Sequence, residues 1–128
     1  GHAAGDAALV HFAYLLTEER RVEDIVARMG GEEFALVLPG VELEKSMEIA
    51  DKLCDRLATT PFVVDGRTVD MTASFGVAMI SERDTCLTDI IVRADRALYR
   101  SKRAGRNRVD LESSQMMRTL DGKLRSVS

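Results

Sequence analysis

The sequence predicts a single α/β domain, an α+β sandwich with helices packed on an antiparallel-rich sheet. Three observations carry that expectation. Three segments repeat apolar residues at helical spacing, two pairs of short apolar runs are joined by glycine-containing tips, and one longer run alternates with period two. The 128 residues, 45% of them hydrophobic, suffice for one core.

Residues 6 to 19 read as the first helix, because Leu9, Phe12, Ala13 and Leu16 share a face. Asp6 is expected at its start, where a carboxylate suits both cap and dipole, with Gly1 to Gly5 as a loop before it. A charged corner from Thr17 to Glu23 leads into the apolar run Ile25 to Met29. The tip Gly30-Gly31-Glu32-Glu33 then joins it to Phe34-Ala35-Leu36-Val37-Leu38 as a β-hairpin. That second run is apolar on both faces and is expected near the middle of a sheet covered on both sides. After Pro39 and Gly40, the spacing of Leu43, Met47, Ala50, Cys54 and Leu57 predicts a helix from about 42 to 58, with Cys54 a small buried hydrophobe. Phe62-Val63-Val64, the turn pair Asp65-Gly66 and Thr68 onward predict a second hairpin, whose return strand alternates from Val69 to Met79. Leu87, Ile90, Ile91, Ala94, Leu98 and Ser101 share one side of a third helix from about 86 to 103, and Gly105 takes the C-terminal cap position. A short strand follows. The tail from Glu112 to Ser128 is Ser-rich and is assigned no chemistry. One further strand before residue 1 would complete a split βαββαβ unit with an added hairpin.

Composition excludes several classes. Charged residues interrupt every apolar run well short of the roughly 18 residues that a membrane span needs. A net charge of −3 gives no field for a polyanion, so no nucleic-acid polymer is expected as a partner and any phosphate site must be local. Cys54 and Cys86 stand far apart, with no Cys or His at ligand spacing, which disfavours disulfides and zinc and predicts a reducing cytoplasmic setting. No signal peptide is expected, since no basic stretch precedes an apolar one at the N-terminus. The absent initiating Met suggests a piece of a longer chain.

Few residues can carry chemistry. Gly30 and Gly31 let backbone approach a ligand closely, and the carboxylates of Glu32 and Glu33 on a tip held between apolar strands can bind Mg²⁺ against phosphate oxygens. The same four residues also make an ordinary solvated turn. Lys102 and Arg106, four apart at a helix end, could both reach one phosphate, and seven Lys or Arg against the single acid Asp95 fall between positions 93 and 108. A solvated helix face has the same composition. Arg21 and Asp24 could be only a corner ion pair. His2 and His11 carry little weight alone, and His11 reads as a surface residue.

Four ordered segments nevertheless resemble one family. Arg28-Met29-Gly30-Gly31-Glu32-Glu33-Phe34 resembles the GGDEF signature of diguanylate cyclases in its GGEEF form. Gly1-His2-Ala3-Ala4-Gly5-Asp6-Ala7-Ala8-Leu9 resembles the family's GHxxGDxxL segment, and Ser74-Phe75-Gly76-Val77-Ala78 its SxGVA strand. Residues 94 to 109 resemble its ADxALYxAKxxGRNxV helix and last strand, so the domain is expected over residues 1 to 110, with 111 to 128 a tail. The resemblance implies a fold similar to adenylyl cyclases and polymerase palm domains. It also implies condensation of two GTP into cyclic di-GMP and pyrophosphate by a two-fold homodimer. Glu32 and Glu33 would be catalytic and hold Mg²⁺ or Mn²⁺, Lys102 and Arg106 would hold the triphosphate, Asp6 would read guanine, and His2, Gly30 and Gly31 would line the substrate site.

Arg21-Val22-Glu23-Asp24 resembles the family's RxxD product-inhibition motif, where the Arg makes paired hydrogen bonds to guanine and the Asp accepts from its Watson-Crick edge. In the family, a strand before the GHxxGD segment supplies a metal-binding Asp and a guanine-reading Asn. This sequence begins after both, so the chain by itself is expected not to turn over GTP, while a parent protein with an N-terminal sensory domain, membrane-anchored or not, would. The alternative is a non-catalytic receptor that binds cyclic di-GMP through Arg21 and Asp24.

Overall fold

The computed structural model describes the backbone of residues 2–112 and the side chains of residues 4–111. Along the chain, α1 (His2–Glu18) leads to the hairpin β1 (Ile25–Gly30) and β2 (Glu33–Val37), then to α2 (Leu43–Thr59). The small hairpin β3 (Phe62–Val64) and β4 (Arg67–Val69) follows, then β5 (Phe75–Ala78), α3 (Leu87–Arg103) and β6 (Val109–Glu112). The tail that sequence assigned no chemistry lies outside the described residues from position 113 on.

The helices α2 and α3 lie within a residue of their expected bounds, because each turns one face inward: Ala50, Leu53, Cys54 and Leu57 are buried on α2, and Ala97 and Ser101 on α3. The first helix departs from expectation, since α1 begins at His2 rather than Asp6. Gly5 in a helix costs about 1 kcal/mol against alanine, and Ala4, Ala7 and Ala8 around it are the best helix formers available. Asp6 therefore stands inside the helix and does not cap it.

Three two-stranded ladders make up the β structure among the described residues. β1 and β2 are antiparallel, as are β3 and β4, while β5 and β6 run parallel. β2 thus pairs on one edge only among the described residues, although its sequence had suggested a strand flanked on both sides. The expected continuous strand from Val69 to Met79 is two strands, broken at residues 70–74, because its two ends have different partners: Val69 pairs with Phe62 and Phe75 with Val109.

Aromatic packing joins these pieces. The Phe12 ring of α1 meets Phe34 of β2 edge-on at 5.1 Å between centroids and Phe75 of β5 at 6.4 Å, so one side chain spans two ladders. His11, expected on the surface, is half-buried: it stacks on Phe62 at 4.9 Å and its Nε2 donates to the Thr60 carbonyl at 2.8 Å. A carbonyl can only accept, so that nitrogen carries the proton. α3 lies directly on β5. A Cβ at Gly76 would stand 2.2 Å from the Ala94 carbonyl oxygen, so the missing side chain is what lets the helix come down onto the strand.

Candidate functional site

The β1–β2 tip is a two-residue turn, Gly31-Glu32, closed by the Gly30–Glu33 pair. The ladder shifts by one residue between Arg28 and Gly30, leaving Met29 as a bulge, and bulges re-aim the chain at a strand end. Gly31 has φ +51° and Gly30 φ +151°, values that a residue with a Cβ rarely adopts, so the two glycines are required by the turn itself. Arg28 Nε donates to the Gly31 carbonyl at 2.9 Å and staples the turn. Nothing in the sequence marked Arg28, because its reach depends on the bulge. Gly30, Gly31, Glu32 and Glu33 are all exposed.

α3 brings one cation to the same rim. Lys102, in the last turn of α3, places Nζ 4.0 Å from Glu33 Oε1. Beyond it the Arg106 N–H donates to the Ser101 carbonyl at 3.0 Å, the long bond of a Schellman cap in which Gly105, at φ +126°, occupies the glycine position foreseen for it. Arg106 and Asn107 both have positive φ, +60° and +46°. Two contacts hold this strained turn: Ser101 Oγ donates to the Arg108 carbonyl at 2.7 Å, and the buried Cys54 Sγ lies 3.4 Å from Asn107 Oδ1. Burial pushes the Cys54 thiol up, with Asp55 and Asp51 adding to the effect, so it stays a neutral donor.

The other sequence candidates belong to other segments of the chain. Asp6 is exposed in α1, and the side chain of His2 lies outside the described residues. Arg21 and Asp24 sit at the α1–β1 corner, the opposite end of β1 from the tip, a separation of roughly 20 Å for six strand residues. They hold each other. Arg21 donates to Asp24 Oδ1 from Nη2 at 2.6 Å and from Nε at 3.0 Å, and its backbone N–H donates to Oδ2 at 2.9 Å. Those hydrogen bonds hold the Asp24 carboxyl below the usual carboxylate range, against a burial effect that alone would raise it.

Glu32 and Glu33 are the acids at the tip, and among the described residues no three His, Cys, Asp or Glu side chains cluster as a metal cage. Two adjacent, exposed carboxylates with room beside them suit Mg²⁺, which keeps several waters and takes phosphate oxygens as its other ligands. The rim thus sets the Lys102 ammonium beside two exposed carboxylates.

The profile of the family "Diguanylate cyclase, GGDEF domain" matches residues 1–108. Diguanylate cyclase DgcP of Pseudomonas aeruginosa is 39% identical over 111 residues, covering 87% of this chain, and the chain spans 16% of that protein's length. The active GGEEF domain of a diguanylate cyclase from Vibrio cholerae superposes with TM-score 0.76 at 33% identity, over 88% of this chain and 70% of its own. The GGDEF domain of DgcB from Caulobacter crescentus, solved in complex with c-di-GMP, superposes with TM-score 0.81 at 28% identity, over 87% and 66%. With the family profile matched over most of its length and the α/β palm-like fold shared with these structures, the chain belongs to the GGDEF-domain family of diguanylate cyclases.

Proposed function

We propose that this domain, within its full-length protein, condenses two GTP into cyclic di-GMP and two pyrophosphates, working as a two-fold pair in which each copy presents one nucleotide to the other. The observation that supports this reading is the approach of Lys102 Nζ to Glu33 Oε1 at 4.0 Å, which sets a cation beside a carboxylate on one rim.

Each residue has a task that its chemistry can meet. Gly30 and Gly31 leave the turn without side chains, so phosphate can approach the backbone. Lys102 and Arg106 neutralise the β- and γ-phosphates and orient the α-phosphate toward the facing 3′-hydroxyl. Glu32 and Glu33 hold Mg²⁺ or Mn²⁺ and assist loss of the 3′-hydroxyl proton. The bound ion would offset charge that develops on the phosphates as pyrophosphate leaves. Asp6 accepts from guanine N1–H and the 2-amino group, an edge that adenine lacks, and His2 lines the same site. Arg21 and Asp24, at their separate corner, bind cyclic di-GMP and inhibit synthesis by holding domains apart.

Incubating the full-length protein with GTP and Mg²⁺, with nucleotides resolved by chromatography and mass, tests the reading. Cyclic di-GMP is the expected product. Retained GTP alongside tight binding of cyclic di-GMP would overturn the cyclase in favour of a receptor.

A further inference from the structure

Beside the Arg21 corner lies a cavity of about 320 Å³, formed by the end of α1, the β1–β2 hairpin and α2. Leu16, Leu36, Ile49 and Leu53 contribute apolar walls, and Arg20, Arg21, Lys45 and Lys52 contribute the cations. Three of these cations already have an acid: Lys45 Nζ lies 3.4 Å from Glu48, Lys52 Nζ 3.2 Å from Glu19, and Arg21 Nη1 3.1 Å from Glu23.

The donors of Arg21 can be counted. A guanidinium offers five N–H groups. Nε is given to Asp24, and Nη2 is given to Asp24 and, at 2.8 Å, to the Pro39 carbonyl. Only the two N–H groups of Nη1 remain, and Glu23 Oε1 stands against them. A purine edge that takes paired hydrogen bonds from Arg21 meets this carboxylate first. The two acids around Arg21 differ in how easily they leave. Asp24 is 5% exposed on its side chain and is fastened by backbone as well as side chain, whereas Glu23 is 53% exposed and touches Arg21 in a solvated pair.

We propose that Glu23 is a competing carboxylate built into the cyclic di-GMP site: it occupies the uncommitted face of the Arg21 guanidinium and must swing away before guanine docks. Affinity for cyclic di-GMP is then set by Glu23 as well as by Arg21, while Asp24 keeps Arg21 in place. This rests on Arg21 and Asp24 forming the cyclic di-GMP site.

Calorimetry with cyclic di-GMP on the wild type and four variants tests it. Glu23→Gln keeps the size and removes the charge, and should bind about two- to five-fold tighter, the range that an exposed ion pair allows. Arg21→Ala should bind about ten-fold weaker or worse. In the Arg21→Ala background the Glu23→Gln gain should vanish, because the competitor acts through the guanidinium. Glu82→Gln, which removes an exposed acid in the loop after β5, should change nothing. Equal affinities for wild type and Glu23→Gln, with Arg21→Ala still weakened, would overturn the role of Glu23 and leave the site intact. A matching gain in Glu82→Gln, or a gain that survives without Arg21, would make the effect one of general charge and overturn it as well. No binding by any variant, or full binding by Arg21→Ala, would remove the site itself and the proposal with it.

Discussion

Arg93 grips Asp84 with both terminal nitrogens, Nη1 to Oδ1 at 2.6 Å and Nη2 to Oδ2 at 2.8 Å. Nη2 also donates to the Met79 carbonyl at 2.7 Å, and the Ser81 N–H donates to Asp84 Oδ2 at 2.7 Å. This cluster ties the loop after β5 to the middle of α3, the helix whose last turn carries Lys102 to the rim. The hydrogen bonds from Arg93 and the Ser81 backbone lower the Asp84 carboxyl from an ordinary 3.8 to about 2. A carboxyl whose pKa falls on folding stabilises the fold fully above its unfolded value, and that contribution is lost as pH drops from about 4 through 2. Arg93→Ala should therefore melt several degrees below wild type at neutral pH, and the gap should narrow between about pH 4 and pH 2. Thermal scans across that range, followed by circular dichroism, read it directly; a gap that stays constant would show that Asp84 is not the titrating partner.

Gly76 is the contact on which α3 rests. A Cβ there would meet the Ala94 carbonyl oxygen at 2.2 Å and the Leu98 backbone nitrogen at 2.3 Å, atoms that cannot move without moving the helix. Gly76→Ala should cost about 3 kcal/mol or more, at the upper end for overpacking, since the clash is with backbone on both counts. Denaturant unfolding measures the cost, and a loss under about 1 kcal/mol would mean that α3 sits farther from β5 than described.

Glu33→Gln in the full-length protein should leave the melting temperature unchanged, because the side chain is half exposed and its ion pair with Lys102 is long. Cyclic di-GMP synthesis should fall below about 1% of wild type, because Gln keeps the shape but loses the charge that the proposed metal site needs. Near-normal turnover with Mg²⁺ would remove Glu33 from the metal site.

The two thiols should differ in reactivity. Cys86 is exposed, while Cys54 is buried with its pKa raised, and the thiolate is the form that reacts. Brief treatment of the folded protein with iodoacetamide should label Cys86 alone, and the same treatment in denaturant should label both. Peptide mass spectrometry locates the adducts, and early labelling of Cys54 would show that α2 opens readily from the Asn107 turn.

Elements whose ends are marked by their own residues were legible in the sequence alone. The Gly30-Gly31 and Asp65-Gly66 tips, the stripe of α2, and the Gly105 cap of α3 all follow from backbone freedom and side-chain period, which act within a few residues. The candidate residues at the tip and at the end of α3 were likewise legible as types: carboxylates on one, cations on the other. Their meeting was not. Glu33 and Lys102 are 69 positions apart, and only the seating of α3 on Gly76 and the capping of its last turn bring them to 4.0 Å. The start of α1 at His2, the break between β4 and β5, and the stacking of His11 on Phe62 also escaped the sequence, because each depends on a partner distant along the chain or on helix propensity outweighing a glycine. At the Arg21 corner the sequence showed an Arg and an Asp three positions apart, and the tertiary structure decided that Asp24 is spent on Arg21 and that Glu23 faces what is left of it. Periodicity records which face a residue occupies, whereas a hydrogen bond is directional and exclusive, so its ownership is settled only when the competing groups share one place in space.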